Sequence, residues 1–273
     1  MADVRWIYDL TIFLYAASVL FYFNDFLQSN RKANRLAFGL LAVVWALQSV
    51  FFVSQMVTKS YFPVVTLFET LFFYSWVLVS LSLAIHYFFR IDLLVFFTNI
   101  IGFVVLVMSM FLPVTPMPEV SNILTSELLL THVTLAMFSY GAFSLSMIFS
   151  AVYLFLHRML KGRKWTPLLR RLPSLGQLES YAYRMNMIGV PMLLLSIVLG
   201  IIWGRMVLPP EKFLFDAKVV LSLLVLATYS FWLYQRYRDT LQMNKLAILN
   251  LLAFALLLIN FFSTNSSTFH SWW

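Results

Sequence analysis

This sequence predicts an all-α polytopic membrane protein of about eight transmembrane helices, with both termini on the extracytoplasmic side. Three observations carry the prediction. Of its 273 residues, 62% are hydrophobic and 11% charged, whereas about a quarter of a soluble domain is charged. The apolar residues are gathered into runs of about 17 to 25, the length a helix needs to cross roughly 30 Å of hydrocarbon. No water reaches that layer to satisfy the backbone, so each run has to be helical. The chain also holds 28 Phe, 13 Tyr and 8 Trp, many of them near the ends of the runs, where an aromatic belt sits.

The first run, Ile7–Leu27, is preceded by Arg5 offset by Asp3 and is followed by no small-residue cleavage site, so it reads as a retained span and not a signal peptide. The second and third, Leu36–Val57 and Val65–Phe89, are separated by a segment carrying Pro63, where a helix cannot continue. The fourth, Leu93–Phe111, stops short of Pro113, Pro116 and Pro118. The fifth, Leu128–Leu156, exceeds what the bilayer requires, which predicts tilt or extension past one face. The sixth is expected at Met187–Trp203, the seventh at Ala217–Tyr234 after Pro209 and Pro210, and the eighth at Leu246–Phe262. The whole chain, 1–273, reads as a single transmembrane domain.

Orientation follows from the basic residues. With the N-terminus outside, the inner loops hold Arg31, Lys32, Arg35, Arg90, Arg158, Lys161, Arg163, Lys164, Arg170, Arg171, Arg184, Arg236, Arg238 and Lys245, which is 14 of 19. The outer side keeps Arg5, Lys59, Arg205, Lys212 and Lys218. Positive charge is retained on the cytoplasmic side, so this split decides the topology. The same scatter argues against nucleic acid as the partner of a chain with net charge +8, because short separate loops make no surface that follows a phosphate backbone. The longest inner segment, about Arg158–Arg184 with the sequence LLRRLPSLGQLESYAYR, is basic and partly amphipathic. It is expected to lie on the membrane, as an anchor for anionic lipid or as a docking site for a cytoplasmic partner.

The absence of cysteine excludes disulfides and thiolate ligands. No glycine-rich phosphate loop, G-x-S-x-G or H-E-x-x-H occurs, and no nucleophile–base pair suggests an enzyme. Of the four histidines, His132 falls at the outer start of the fifth span and His270 in the outer tail, while His86 and His157 fall at inner span ends. Each alone reads as an interfacial ring. Together, two neutral imidazoles on one face can take the two axial positions of a haem iron, or serve a zinc or copper ion. The outer segment GIIWGRMVLPPEKFLFDAK adds Trp203, Phe213 and Phe215 to cover a flat macrocycle, and Arg205, Lys212 and Lys218 to meet its carboxylates. Asp9 and Glu69 lie near outer span ends, and Glu69 is a candidate second partner for the histidines.

Several segments carry a family resemblance. LFETLFFYSWVLVSLSLAIH (67–86) is similar to an "LYESLxFLSW" span, and LLLTHVTLAMFSYGAFSLSMIFSAVYLF (128–155) to an "HVxxxxxSYAxF" span. RRLPSLGQLESYAYRMNMIGVPMLLLSIVLGIIWG (170–204) is similar to "LPSLExLDxLxYRxxxxGFPLLTxGIxxGAVWA", and NFFSTNSSTFHSWW (260–273) to "GVNLLxxGLHSY". From about Leu67 to the C-terminus the chain thus resembles the polytopic haem-handling proteins of cytochrome c assembly, the CcsA, ResC and CcmC group. The resemblance implies a non-covalent b-type haem with His132 and His270 as axial ligands to its iron, framed by Trp203, Phe215 and Asp216. The family's tryptophan-rich loop is shortened here, and Tyr234 stands where the family's "YLHTR" carries a membrane histidine. Within the group the chain looks most like the members found beside haem-biosynthesis genes. That implies regulation of haem synthesis through the amount of glutamyl-tRNA reductase, with haem transport or chaperoning in cytochrome c assembly as the alternative. The expected location is the bacterial cytoplasmic membrane.

The cysteine-free chain makes its topology directly measurable. Single cysteines introduced at Thr115 and Ser267 should react with a membrane-impermeant maleimide in intact cells, and one at Gly162 only after lysis. The reverse pattern would turn the predicted orientation over.

Overall fold

The computed structural model describes residues 2–59, 62–64, 66–89, 91–112, 127–163, 169, 171–207 and 216–263. Among them are eight helices: α1 Ala2–Gln28, α2 Arg31–Lys59, α3 Leu67–Phe89, α4 Asp92–Met110, α5 Glu127–Lys161, α6 Leu175–Val207, α7 Ala217–Arg238 and α8 Met243–Phe262. All eight are long and apolar enough to cross a bilayer. The described residues contain no strand, so the predicted all-α membrane architecture is the one observed. The chain divides into two compact units, Met1–Glu119 and Val120–Trp273.

In the first unit consecutive helices pack together and α1 closes against α4. What turns α1 is a polar seam: Tyr8, Thr11, Tyr15, Ser18, Tyr22 and Asp25, spaced alternately three and four apart, are all buried. Trp6, Phe13 and Leu20 face outward. This reverses the usual soluble pattern, because lipid satisfies apolar side chains and leaves polar ones to find partners inside. Most of them find partners, the Tyr22 hydroxyl having none among the described residues. The Tyr8 hydroxyl donates to the Leu106 carbonyl at 3.0 Å and pairs with the Ser109 hydroxyl at 2.8 Å. Tyr15 donates to Asn99 Oδ1 at 3.1 Å, and Asn99 Nδ2 donates onward to Ser82 at 2.8 Å. On the α2 side Ser18 donates to the Ala37 carbonyl at 2.8 Å, and Asn34 Nδ2 to Asp25 Oδ2 at 3.0 Å. Gly102 is required where it stands, since a Cβ there would run into the Tyr15 hydroxyl.

The second unit repeats the scheme with α5 to α8, each helix packed on the next and α5 closing against α8. Three side chains of α5, seven residues apart, hydrogen-bond to three carbonyls of α6, also seven apart and in reverse order. His132 Nδ1 lies 2.6 Å from the Ser196 carbonyl, Ser139 donates to Gly189 at 3.0 Å, and Ser146 donates to Ala182 at 3.1 Å. The two helices are therefore antiparallel and their register is fixed at every second turn. Asn250 of α8 closes the ring, donating to Ser146 and Ser150 hydroxyls at 2.7 Å each and accepting from Asn186 of α6 at 3.3 Å. Nearer the other end Asn260 donates to the Tyr140 hydroxyl and to Ser222, both at 3.2 Å.

Several helices run four or five residues past the expected spans, and the largest difference is at the start of α6. Residues 175–184, expected to lie on the membrane surface, are the first turns of α6. Ser174 and Gln177 form a reciprocal cap, the Ser174 N–H donating to Gln177 Oε1 at 3.0 Å and the Gln177 N–H to Ser174 Oγ at 3.3 Å. Leu178 and Ala182 then bury fully, and Glu179 pairs with Arg236 of α7. Against α5, the Ala182 carbonyl accepts from Ser146 and Tyr181 lies beside Phe149.

Two glycines separate packing from propensity. A Cβ on Gly189 would sit 2.6 Å from a ring carbon of Phe143, whereas Gly39 has open space around it. Gly189→Ala should destabilise the detergent-solubilised protein by about 1–3 kcal/mol. Gly39→Ala should be neutral or stabilise by up to about 1 kcal/mol. Thermal unfolding of the two variants checks this, and equal midpoints would contradict it.

Candidate functional site

His132 lies in the second turn of α5, half-buried. A carbonyl oxygen only accepts, so the 2.6 Å contact with Ser196 requires the proton on Nδ1. In the neutral ring the lone pair then sits on Nε2. The Ser196 hydroxyl donates to the main-chain carbonyl of His132 at 2.9 Å and lies 3.1 Å from Nδ1. One turn on, a Cβ at Gly200 would fall 2.7 Å from the ring's Cε1, 2.9 Å from Nδ1 and 3.3 Å from Nε2. The imidazole thus rests directly on the backbone of α6. Ser196, Gly200 and Trp203 are spaced four and three apart, on one face of that helix, and Trp203 is buried.

The other residues singled out from the sequence have definite places. Asp216 is the N-cap of α7, buried, its Oδ1 accepting from the Lys218 N–H at 2.9 Å. Sequence reasoning gave it a framing role; its observed local task is to satisfy the first turn of α7. Because α6 and α7 are consecutive antiparallel helices, Trp203 and Asp216 fall at the same end of the unit as His132. Phe213, Phe215, Lys212 and His270 lie outside the described residues. Glu69 forms a capping box with Thr66 at the start of α3, at 3.0 and 3.2 Å, and one partner of the His132 ring is the Ser196 carbonyl. Tyr234 is 56% exposed on α7, two residues from the fully buried Trp232.

The two remaining histidines are held by other chemistry. His157 stacks on Tyr153 and lies 3.0 Å from Asn244, at the opposite end of α5 from His132. His86 stacks on Phe38 at 4.2 Å and lies 3.6 Å from an Asp92 oxygen. Among the described residues no group of three or more His, Asp or Glu is arranged to hold a bare metal ion. The donor set at His132, one neutral imidazole with Nε2 as its basic nitrogen, fits an axial position on a haem iron, which takes its four equatorial ligands from the porphyrin.

The seat of His132 was missed from sequence. Its signal is the Ser-x-x-x-Gly-x-x-Trp spacing at 196, 200 and 203, which is indistinguishable from an ordinary small-residue stripe until α5 is seen against it.

Comparison with known proteins adds independent findings. Residues 64–270 match the family described as Cytochrome C assembly protein, a stretch that includes His132, Trp203, Phe215, Asp216 and His270. The chain is 80% identical over 273 residues, the whole of both chains, to Protein HemX of Brevibacillus brevis. It is 48% identical over 262 residues, 95% of each chain, to Protein HemX of Bacillus subtilis (strain 168). To the cytochrome c biogenesis protein CcsA of Cyanophora paradoxa it is 24% identical over 302 residues, 93% of this chain and 92% of the other.

Proposed function

The chain belongs to the Cytochrome C assembly protein family, and on that premise we propose that it is a haem-binding protein of the bacterial cytoplasmic membrane. His132 and His270 supply the axial imidazoles to a non-covalent b-type haem on the outer face, and Trp203, Phe215 and Asp216 frame it. The observation that carries this reading is the hydrogen bond from His132 Nδ1 to the Ser196 carbonyl. Iron-bound histidines characteristically give their second N–H to a carbonyl or carboxylate, which fixes the tautomer and makes the other nitrogen a better ligand. Haem bound there supplies a redox-active iron, low-spin when both axial positions hold imidazole.

The reach of the tail supports the pairing. Asn260 and Phe261 pack on Tyr140 of α5, and His132 stands eight residues further along α5, about 12 Å at 1.5 Å per residue. From Ser263 the seven residues to His270 span up to about 25 Å when extended. That length is sufficient to bring the second imidazole over the first.

The proposed role is regulation of haem biosynthesis through the level of glutamyl-tRNA reductase, the basic segment between α5 and α6 being the contact on the cytoplasmic side. A tyrosine at 234, exposed to the surroundings, favours sensing haem over passing it across the bilayer.

Two measurements test these statements separately. The purified protein reconstituted with haem should give a low-spin visible spectrum that is lost in both His132→Ala and His270→Ala; an unchanged spectrum in either removes that residue from the iron. In cells, neutralising Arg163, Lys164, Arg170 and Arg171 together should change reductase abundance at least twofold without changing haem binding. Unaltered abundance would reduce those residues to topology anchors.

A further inference from the structure

We infer that Gly200 and the Ser196 main-chain carbonyl form a dedicated seat for the ligand imidazole, and that this seat, not the α5 backbone alone, aims His132 Nε2 at the iron. The inference rests on the reading of His132 as a haem ligand and names the positioning residues for it. Gly200 supplies space: a Cβ there would stand within 3.0 Å of two ring atoms, so any other residue at 200 drives the ring off the helix. Ser196 supplies direction. Its carbonyl is the one that α-helical pairing also assigns to the Gly200 N–H, so its two lone pairs serve one main-chain donor and the His132 Nδ1–H. With Nδ1 anchored at 2.6 Å and the Nδ1–Cε1–Nε2 edge of the ring set against glycine, rotation about the side-chain bonds is removed. The Nε2 lone pair then has one direction.

The Ser196 hydroxyl plays a lesser part. It bonds the His132 carbonyl at 2.9 Å and holds α5 to α6, but the acceptor for Nδ1 belongs to the backbone and survives substitution. Ser196→Ala should therefore keep the low-spin spectrum, whereas Gly200→Ala should lose it or weaken haem binding about 10- to 100-fold, the usual cost of losing the group that orients a metal ligand.

Chemical rescue reads the seat without the tether. In haem-loaded His132→Gly, with Gly200 intact, free imidazole and 4-methylimidazole should restore the low-spin visible and electron paramagnetic resonance signals. 1-Methylimidazole has no N–H to give the Ser196 carbonyl and should need about tenfold higher concentration, the loss of one buried hydrogen bond. In His132→Gly combined with Gly200→Ala the difference between the three should vanish. The results separate cleanly. A wild-type spectrum in His132→Ala overturns the ligand assignment and the seat with it. Loss of the signal in His132→Ala, together with wild-type haem affinity in Gly200→Ala, leaves the ligand standing and overturns the seat alone. So does equal rescue by 1-methylimidazole, or no rescue by imidazole, in His132→Gly, and this arm holds even where Gly200→Ala fails to fold.

Discussion

The register between α5 and α6 is the constraint on which the second unit depends. In hydrocarbon a polar side chain cannot turn to water, so a serine or histidine has to find its acceptor on its own helix or on a neighbouring one. Here His132, Ser139 and Ser146 each find a main-chain carbonyl of α6, and the three bonds are satisfied together or not at all. Individually such bonds are modest, about 0.6 kcal/mol each in a bilayer, or roughly 2 kcal/mol for the three. Their strength lies in specification: apolar packing tolerates sliding by a turn, about 5.4 Å, and these bonds do not. Packing adds a second lock where Phe143 fills the notch at Gly189 and stacks on Tyr229 with ring centroids 3.7 Å apart. His132 is the outermost rung, so the same register that assembles the bundle decides where its imidazole lies.

The first unit obeys the same rule with different residues. Tyrosines at 8, 15 and 22 take the place of the serines, and the longer side chain carries each hydroxyl across to α4 or deep into the interior. Close approach is again secured by glycine, at 102 against Tyr15 as at 189 against Phe143. Both units thus start with a helix whose inward face is polar at heptad spacing, and both spend their few interior glycines where a ring or hydroxyl has to reach the backbone.

How much of this was legible in the sequence depends on what each signal reports. Length and hydropathy report the solvent, so all eight spans were readable and their number is the number observed among the described residues. They do not report which face is inside. The residues from Tyr8 to Asp25 that line the interior are polar, and in lipid it is such residues that mark the core. Hydropathy also hid the start of α6, whose Glu179, Tyr181 and Arg184 read as a surface segment while Leu178 and Ala182 are buried. At the candidate site the histidine drew notice as a candidate because few residue types bind iron. The glycine and carbonyl beneath it did not, because they act through the absence of a side chain and through the main chain. Asp216 stood out in the sequence as a carboxylate near the site, and its N-cap of α7 became visible only with the helix start in view.

The geometry also bears on how two distant ends of one helix pair communicate. α5 has 35 residues, about 50 Å of helix, with His132 near one end and the basic segment joining it to α6 at the other. On the proposed function, an iron held by Nε2 would make Nδ1–H a stronger donor and so tighten the rung that His132 forms with Ser196. Transmission to the far end requires that the pair have a second arrangement with a weaker or displaced rung, because only a difference in haem affinity between two states moves an equilibrium. The roughly 2 kcal/mol held in the three rungs is of the size that such coupling energies take. Reciprocity then fixes a consequence: a partner that grips the segment between α5 and α6 must alter haem affinity by the same factor by which haem alters the grip, and a partner that leaves haem affinity untouched is not regulated through this helix pair.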